Sequence, residues 1–155
     1  ACASSLQGTS DPWDVVDIFD KLREWLRRDL GTQHLMEVDL QVNTVRALSA
    51  HGHSNLEVAR LGLGVIAGSC QRNDDNAELL VAAGATKEIL ALMDTHSQDS
   101  SVQDTACVAL WRLAERRGAG AAKVAEAGGR QRIFRAMQEH SHNPFVQVNA
   151  CLALE

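Results

Sequence analysis

The sequence has no excess of basic charge. Fifteen lysines and arginines stand against 20 aspartates and glutamates, a formal net charge of -5. Broad affinity for nucleic acid or an anionic membrane depends on a dense basic patch, so neither is expected as a partner. There is no long hydrophobic run either. The most apolar stretch, Leu61 to Cys70, is interrupted by Gly62, Gly64 and Gly68, and it is half the roughly 20 residues that cross a bilayer. No basic start leads into an apolar signal core. The four cysteines lack the tight spacing of a disulfide framework and fit reduced thiols in a cytoplasmic or nuclear protein.

The composition that remains is that of a folded chain. Hydrophobic residues make up 45% and charged residues 23%, near the globular average, and 155 residues can bury a real core. Residues 1–10 read as a loose leader. The last residues, Asn149 to Glu155, stop inside a helical pattern, so both ends read as cuts in a longer array.

The dominant feature is an internal repeat. Met93 to Leu110 reads MDTHSQDSSVQDTACVAL and Met137 to Leu154 reads MQEHSHNPFVQVNACLAL, identical at nine of eighteen positions with a displacement of 44 residues. The same displacement carries Ala83-Gly84 onto Ala127-Gly128 and Ile89 onto Ile133, and a more divergent copy places Val65 and Ile66 on Ala109 and Leu110. Periods of this length are the signature of stacked helical units.

Each unit divides into three helical pieces by apolar spacing and turn residues. In the middle unit these are Asn76 to Ala83, stopped by Gly84 in a left-handed conformation, then Ala85 to Met93, and a long third piece from Val102 to Arg116. The first unit gives Thr32 to Val38, Leu40 to Ala50 and Leu56 to Cys70. The last gives Ala121 to Ala127, Arg130 to His140 and a piece from Phe145 onward. Trp13 to Arg28, with Asp11 as cap and Pro12 in the first turn, sits where a preceding unit's third helix belongs. The organisation expected is 11–31 as the end of a preceding repeat, 32–75 and 76–119 as repeats, and 120–155 as a truncated one.

A short helix, a Gly-bounded second helix and a third helix of the form V-Q-x-x-A-C-x-A-L resemble the armadillo repeat. Ala125-Glu126-Ala127-Gly128-Gly129 followed by Ile133, and Val102-Gln103 to Leu113, carry the resemblance. The two-helix HEAT repeat is the second reading, and the Gly between the first two helices favours armadillo. The resemblance implies an all-α, right-handed superhelical solenoid of three-helix repeats, and a protein-interaction scaffold that takes an extended peptide or partner domain in its concave groove. The alternative is a regulatory region of a larger multidomain signalling enzyme such as a kinase.

In armadillo proteins that import nuclear cargo, each third helix carries a Trp and, four residues on, an Asn. Here the Trp position falls on Gly64, Val108 and Leu152 and the Asn position on Gly68 and Arg112, so that ladder is absent. The groove stripe is instead Arg60, Gly64 and Gly68, then Asp104, Val108 and Arg112, then Val148 and Leu152, each set on one helix face. Trp111 packs beside it and, if exposed, is the best single binding anchor. Arg28, Arg72 and Arg116 recur at the repeat spacing near third-helix ends. They read either as a ladder for an acidic partner or as cations favoured by the helix dipole, worth roughly 0.3–1 kcal/mol each.

No enzyme chemistry emerges, and no cofactor or metal is expected. Gly62-Leu-Gly64-Val-Ile-Ala67 matches a dinucleotide fingerprint only in spelling, since the repeat phase puts it inside a helix rather than after a strand; close packing is the expected role of its glycines. His51, His53, His96, His140 and His142 fall in turns a whole repeat apart, where they cap or solvate. Cys107 and Cys151 read as small buried hydrophobes, and Asp74 and Asp75 as part of a helix cap. The open ends of the array leave the isolated chain prone to self-association.

Overall fold

A computed structural model describes residues 2–28, 38–71, 73–115 and 120–154. The elements are α1 (Cys2–Gly8), α2 (Pro12–Arg28), α3 (Val38–Ala47) continued by a π-helical turn (Leu48–Gly52), α4 (Leu56–Cys70) and α5 (Asp74–Ala82). They continue with α6 (Ala85–Thr95), α7 (Ser100–Ala114), α8 (Gly120–Glu126), α9 (Gly129–Glu139) and α10 (Pro144–Leu154). Among the described residues there is no strand, and the fold is an all-α solenoid.

The period is written into the backbone hydrogen bonds. Asp11, Asn55, Asp99 and Asn143 stand 44 residues apart, and each caps the start of a third helix. Asp11 accepts from the Trp13 amide at 2.9 Å, Asn55 from Glu57 and Val58 at 3.0 and 3.1 Å, Asp99 from Val102 at 2.9 Å, and Asn143 from Phe145 and Val146 at 3.0 and 3.3 Å. Each such cap contributes about 1 kcal/mol by satisfying amides that the helix leaves open. Pro12 and Pro144 follow the first and last caps, where a missing amide costs nothing. Gly84 and Gly128, also one period apart, turn the chain between first and second helices with φ of 89° and 77°, the left-handed conformation in which a Cβ is strained.

Two three-helix units follow among the described residues; the first helix expected of the first unit, Thr32 to Val38, lies outside them except for its last residue. In the middle unit α5 and α6 meet at Gly84 and α7 packs on α6; α8, α9 and α10 repeat the arrangement around Gly128. That division favours armadillo over the two-helix alternative. α5 begins at Asp74, two residues ahead of the boundary expected between 32–75 and 76–119, because Asn73 accepts from the Asn76 amide at 3.0 Å and so starts the helix there. Asp74 and Asp75 are exposed in its first turn, next to that cap.

The third helices α2, α4, α7 and α10 pack on one another along their lengths, far more closely than the second helices do. Small side chains permit this: Ala106, Cys107 and Ala109 are fully buried between neighbours. At Gly62 even a methyl is too much, because a Cβ there would lie 2.5 Å from Leu48 Cδ2 and 2.8 Å from Phe19 Cε2. Gly62 and Gly64 lie inside α4, and the packing role expected of these glycines holds at Gly62. Phe19, Leu48, Ile66, Ile89, Leu110 and Ile133 run through the core from end to end.

Side chains also tie unit to unit. His96 Nε2 lies 2.7 Å from the Gly52 carbonyl and His140 Nε2 2.7 Å from that of Ser97. A carbonyl only accepts, so in both the Nε2–H donates. His53 reaches forward, its Nδ1 2.9 Å from Thr95 Oγ1 and its Nε2 2.9 Å from Glu88 Oε1. These three histidines are therefore cross-unit ties rather than turn-solvating groups.

Two expectations are corrected. Residues 2–8 of the supposed loose leader form α1, which packs against α2 and α3 and buries Leu6; that one apolar side chain joins the common core. Cys151 is exposed whereas Cys107 is fully buried: α7 is packed between α4 and α10, and no further third helix packs on α10 among the described residues.

Candidate functional site

The stacked third helices present a row of half-exposed positions, and the sequence stripe falls on it. Gly64 and Gly68 of α4 and Asp104 and Val108 of α7 line one open hollow of about 420 Å³. Two glycines in succession leave bare backbone for its floor. Their helix cost, up to about 1 kcal/mol each relative to Ala, is thereby spent on an opening rather than on packing alone.

The far wall comes from α2, which contributes Arg23, Leu26 and Arg27. Sequence reasoning missed these residues. The available signal was the column of Trp111: one period back it holds Ala67, and two periods back Arg23. Arg23 lies flat on α4, so that a Cβ on Gly64 would sit 2.7 Å from its Nε. Among the described residues Arg23 has neither a salt-bridge nor a hydrogen-bond partner, whereas Arg27 pairs with Glu24 at 2.9 Å. Burial and then the charges of Arg60 and Arg27 hold the Arg23 guanidinium below its usual range, with Asp20 and Glu57 opposing them.

The remaining stripe residues are engaged in different ways. Arg60 forms a two-point pair with Glu57, one bond of 3.0 Å from Nε, and this hydrogen bond, against the opposing effect of desolvation, holds the Glu57 carboxyl below the usual range. Asp104 accepts from Asn149 Nδ2 at 2.5 Å, which ties α7 to α10 across the groove. Arg112 stacks on Trp111 at 4.0 Å from the ring centre and pairs with Glu115 at 2.8 Å. Trp111 is thus half-buried with one face covered by a cation. Val148 is 60% exposed and Leu152 half-buried on α10. The hollow therefore unites Asp104 and Val108 with the glycines; Arg60 borders it through Arg23, and Arg112, Trp111, Val148 and Leu152 lie outside its lining.

Of the arginine column, Arg28 is exposed at the end of α2 and pairs with Glu24 at 2.7 Å; Arg72 and Arg116 lie outside the described residues. Burial pushes the Cys70 and Cys107 thiols up to about 12, so neither offers a thiolate at neutral pH. No group of three metal-ligating side chains occurs among the described residues, and no helix among them is long and apolar enough to cross a membrane.

With this geometry in place, the sequence profile of the Armadillo/beta-catenin-like repeat matches residues 73–115, the span from the α5 cap to the end of α7. The chain carries an armadillo repeat. The fold is also that of a solved structure, described as the crystal structure of an engineered protein from the Northeast Structural Genomics Consortium. The similarity has a TM-score of 0.84 at 20% identity over 99% of this chain, and this chain spans 60% of that one. No curated protein matches the sequence. On either side of the matched span the same helix caps recur at Asn55 and Asn143, and the same glycine turn at Gly128.

Proposed function

We propose that this armadillo array is a protein-interaction scaffold whose third-helix face binds an extended peptide or an edge of a partner domain. The observation that carries the reading is the hollow between α2, α4 and α7, open to solvent, floored by glycine backbone and walled by charged and apolar groups. Neighbouring helices stand 8–10 Å apart and an extended chain rises about 3.3 Å per residue, so a segment of roughly six residues crosses three third helices. Mixed polar and apolar walls suit a peptide, whose backbone needs hydrogen bonds while its side chains need pockets.

Panning a random-peptide library against the chain and mapping the enriched peptides by backbone amide shifts tests this. The expected perturbations fall on Gly64, Gly68, Thr105, Val108 and Arg112. Perturbations confined to α3, α6 and α9, or no enrichment of any peptide, would remove the groove as the binding surface.

A further inference from the structure

We infer that the hollow between α2, α4 and α7 is an anchoring pocket for an acidic side chain of the bound segment, and that Arg23 is the residue that receives it. This rests on the groove reading above and names its subsite and the chemistry of its occupant.

Three observations converge on Arg23. It lines the hollow together with Leu26 and Arg27, so its guanidinium is reachable from the groove. It lies against α4 where Gly64 has no side chain, so that a Cβ there would sit 2.7 Å from its Nε, and this places its guanidinium beside the glycine backbone of the hollow. Among the described arginines along the groove, its charge is also the one without a carboxylate. Arg27 is taken by Glu24, Arg60 by Glu57 and Arg112 by Glu115, while Arg23 has no ion-pair partner among the described residues. Partial burial and then the like charges of Arg60 and Arg27 act against its charge and outweigh Asp20 and Glu57; a carboxylate in the hollow offsets them through a forked pair for which guanidinium geometry is suited.

The one carboxylate in the lining, Asp104, is committed to Asn149 on the side of α10. It therefore discriminates by position. An acidic side chain is accepted at the α2 side of the hollow and repelled at the α7 side, which sets the direction in which a segment with a single acidic residue lies. Apolar contacts at Leu26 and Val108 suit the methylene stem of Glu, and the size of the hollow exceeds what Asp alone fills.

The test uses the peptides that the wild-type chain enriches from the random library, fluorescein-labelled for titration. Enriched peptides are expected to share an acidic position, and their affinity is expected to fall at least about ten-fold in Arg23→Ala, a loss within the range for truncating one partner of a desolvated charge pair. Arg23→Lys keeps the charge without the fork and should recover part of the affinity. Arg28→Ala, which removes an equal charge from the exposed end of the same helix, should leave it within about two-fold. Peptides enriched with no acidic position, or bound equally by wild type and Arg23→Ala, would overturn the pocket while leaving the groove standing. Equal losses in Arg23→Ala and Arg28→Ala would overturn it as well, by reducing the effect to net charge. No enrichment at all would overturn the groove and the pocket together. Matching thermal melts of the variants keep misfolding out of the comparison.

Discussion

The first and middle units obey the same 44-residue period and yet end their second helices differently. In the middle unit Gln103 donates from its amide to the carbonyls of Met93 and His96, both at 3.0 Å, and α6 closes cleanly at Thr95. Gln147 repeats this in the last unit, reaching Met137 at 2.9 Å and His140 at 3.3 Å. In the first unit the same position is Ala59, and the end of α3 widens into the π-helical turn Leu48–Gly52. There the Gly52 carbonyl is instead satisfied by His96 from the next unit. Open carbonyls at a helix end must find donors somewhere: the middle unit supplies its own for Met93 and His96, and the first borrows one for Gly52 from its neighbour.

If that account is right, Gln103→Ala should destabilise by about 2 kcal/mol in denaturant unfolding, since it removes two hydrogen bonds at a buried site. Gln147→Ala, at a half-buried copy, should cost clearly less. Equal costs would mean that burial is not what gives the glutamine its weight.

The second contrast lies within α4. Gly62→Ala must push Leu48 and Phe19 apart and should destabilise by about 1 kcal/mol net, the overpacking penalty outweighing the helix propensity gained. At Gly68 a Cβ would lie 3.3 Å from Leu26 Cδ1, a tight approach that a small shift of that side-chain end relieves, so Gly68→Ala should be close to neutral, the helix propensity gained offsetting the shift. Loss of stability at both positions would show that α4 tolerates side chains nowhere, including the groove.

The smallest expected loss of stability is at the junction of the middle and last units. Arg132 Nε reaches Asp94 at 2.9 Å, and Arg135 pairs with its other oxygen. Desolvation raises the Asp94 carboxyl, and the two arginines outweigh it, leaving a value below the usual range. A depressed folded-state value means that the contribution is present above the ordinary carboxylate range and lost as pH falls through the folded-state value. Asp94→Asn should therefore cost roughly 0.5 kcal/mol at neutral pH, an amount limited by exposure, and nothing in strong acid. A cost that persists in acid would assign the loss to packing.

Most of the solenoid was legible in the sequence because it is written in locally readable terms. The 44-residue displacement, the three helical pieces and the stop at Gly84 all follow from apolar spacing and turn chemistry within a unit. The caps at Asn55, Asp99 and Asn143 were legible too, one period apart from Asp11, but only once the period is applied to polar residues as well as to the apolar core. The histidine ties were not, since a donor in one unit and a carbonyl in another leave no pattern along the chain. Arg23 was hidden for a related reason. Its position depends on a side chain missing from a different helix, and the groove stripe drawn from α4, α7 and α10 leaves out the wall that α2 provides. Helix α1 escaped because seven residues carry too little periodicity to register, and Leu6 is the one described apolar side chain by which it joins the core.

The bonds from His96 and His140 have a mechanical side. Each is 2.7 Å long, each occupies the same corner of its unit, and each spans the gap to the unit before it. Together they act as a tendon along one edge of the array, holding the spacing of that edge constant. A change of curvature that keeps both bonds is then a rotation about this edge, with the stretch taken up elsewhere in the stack.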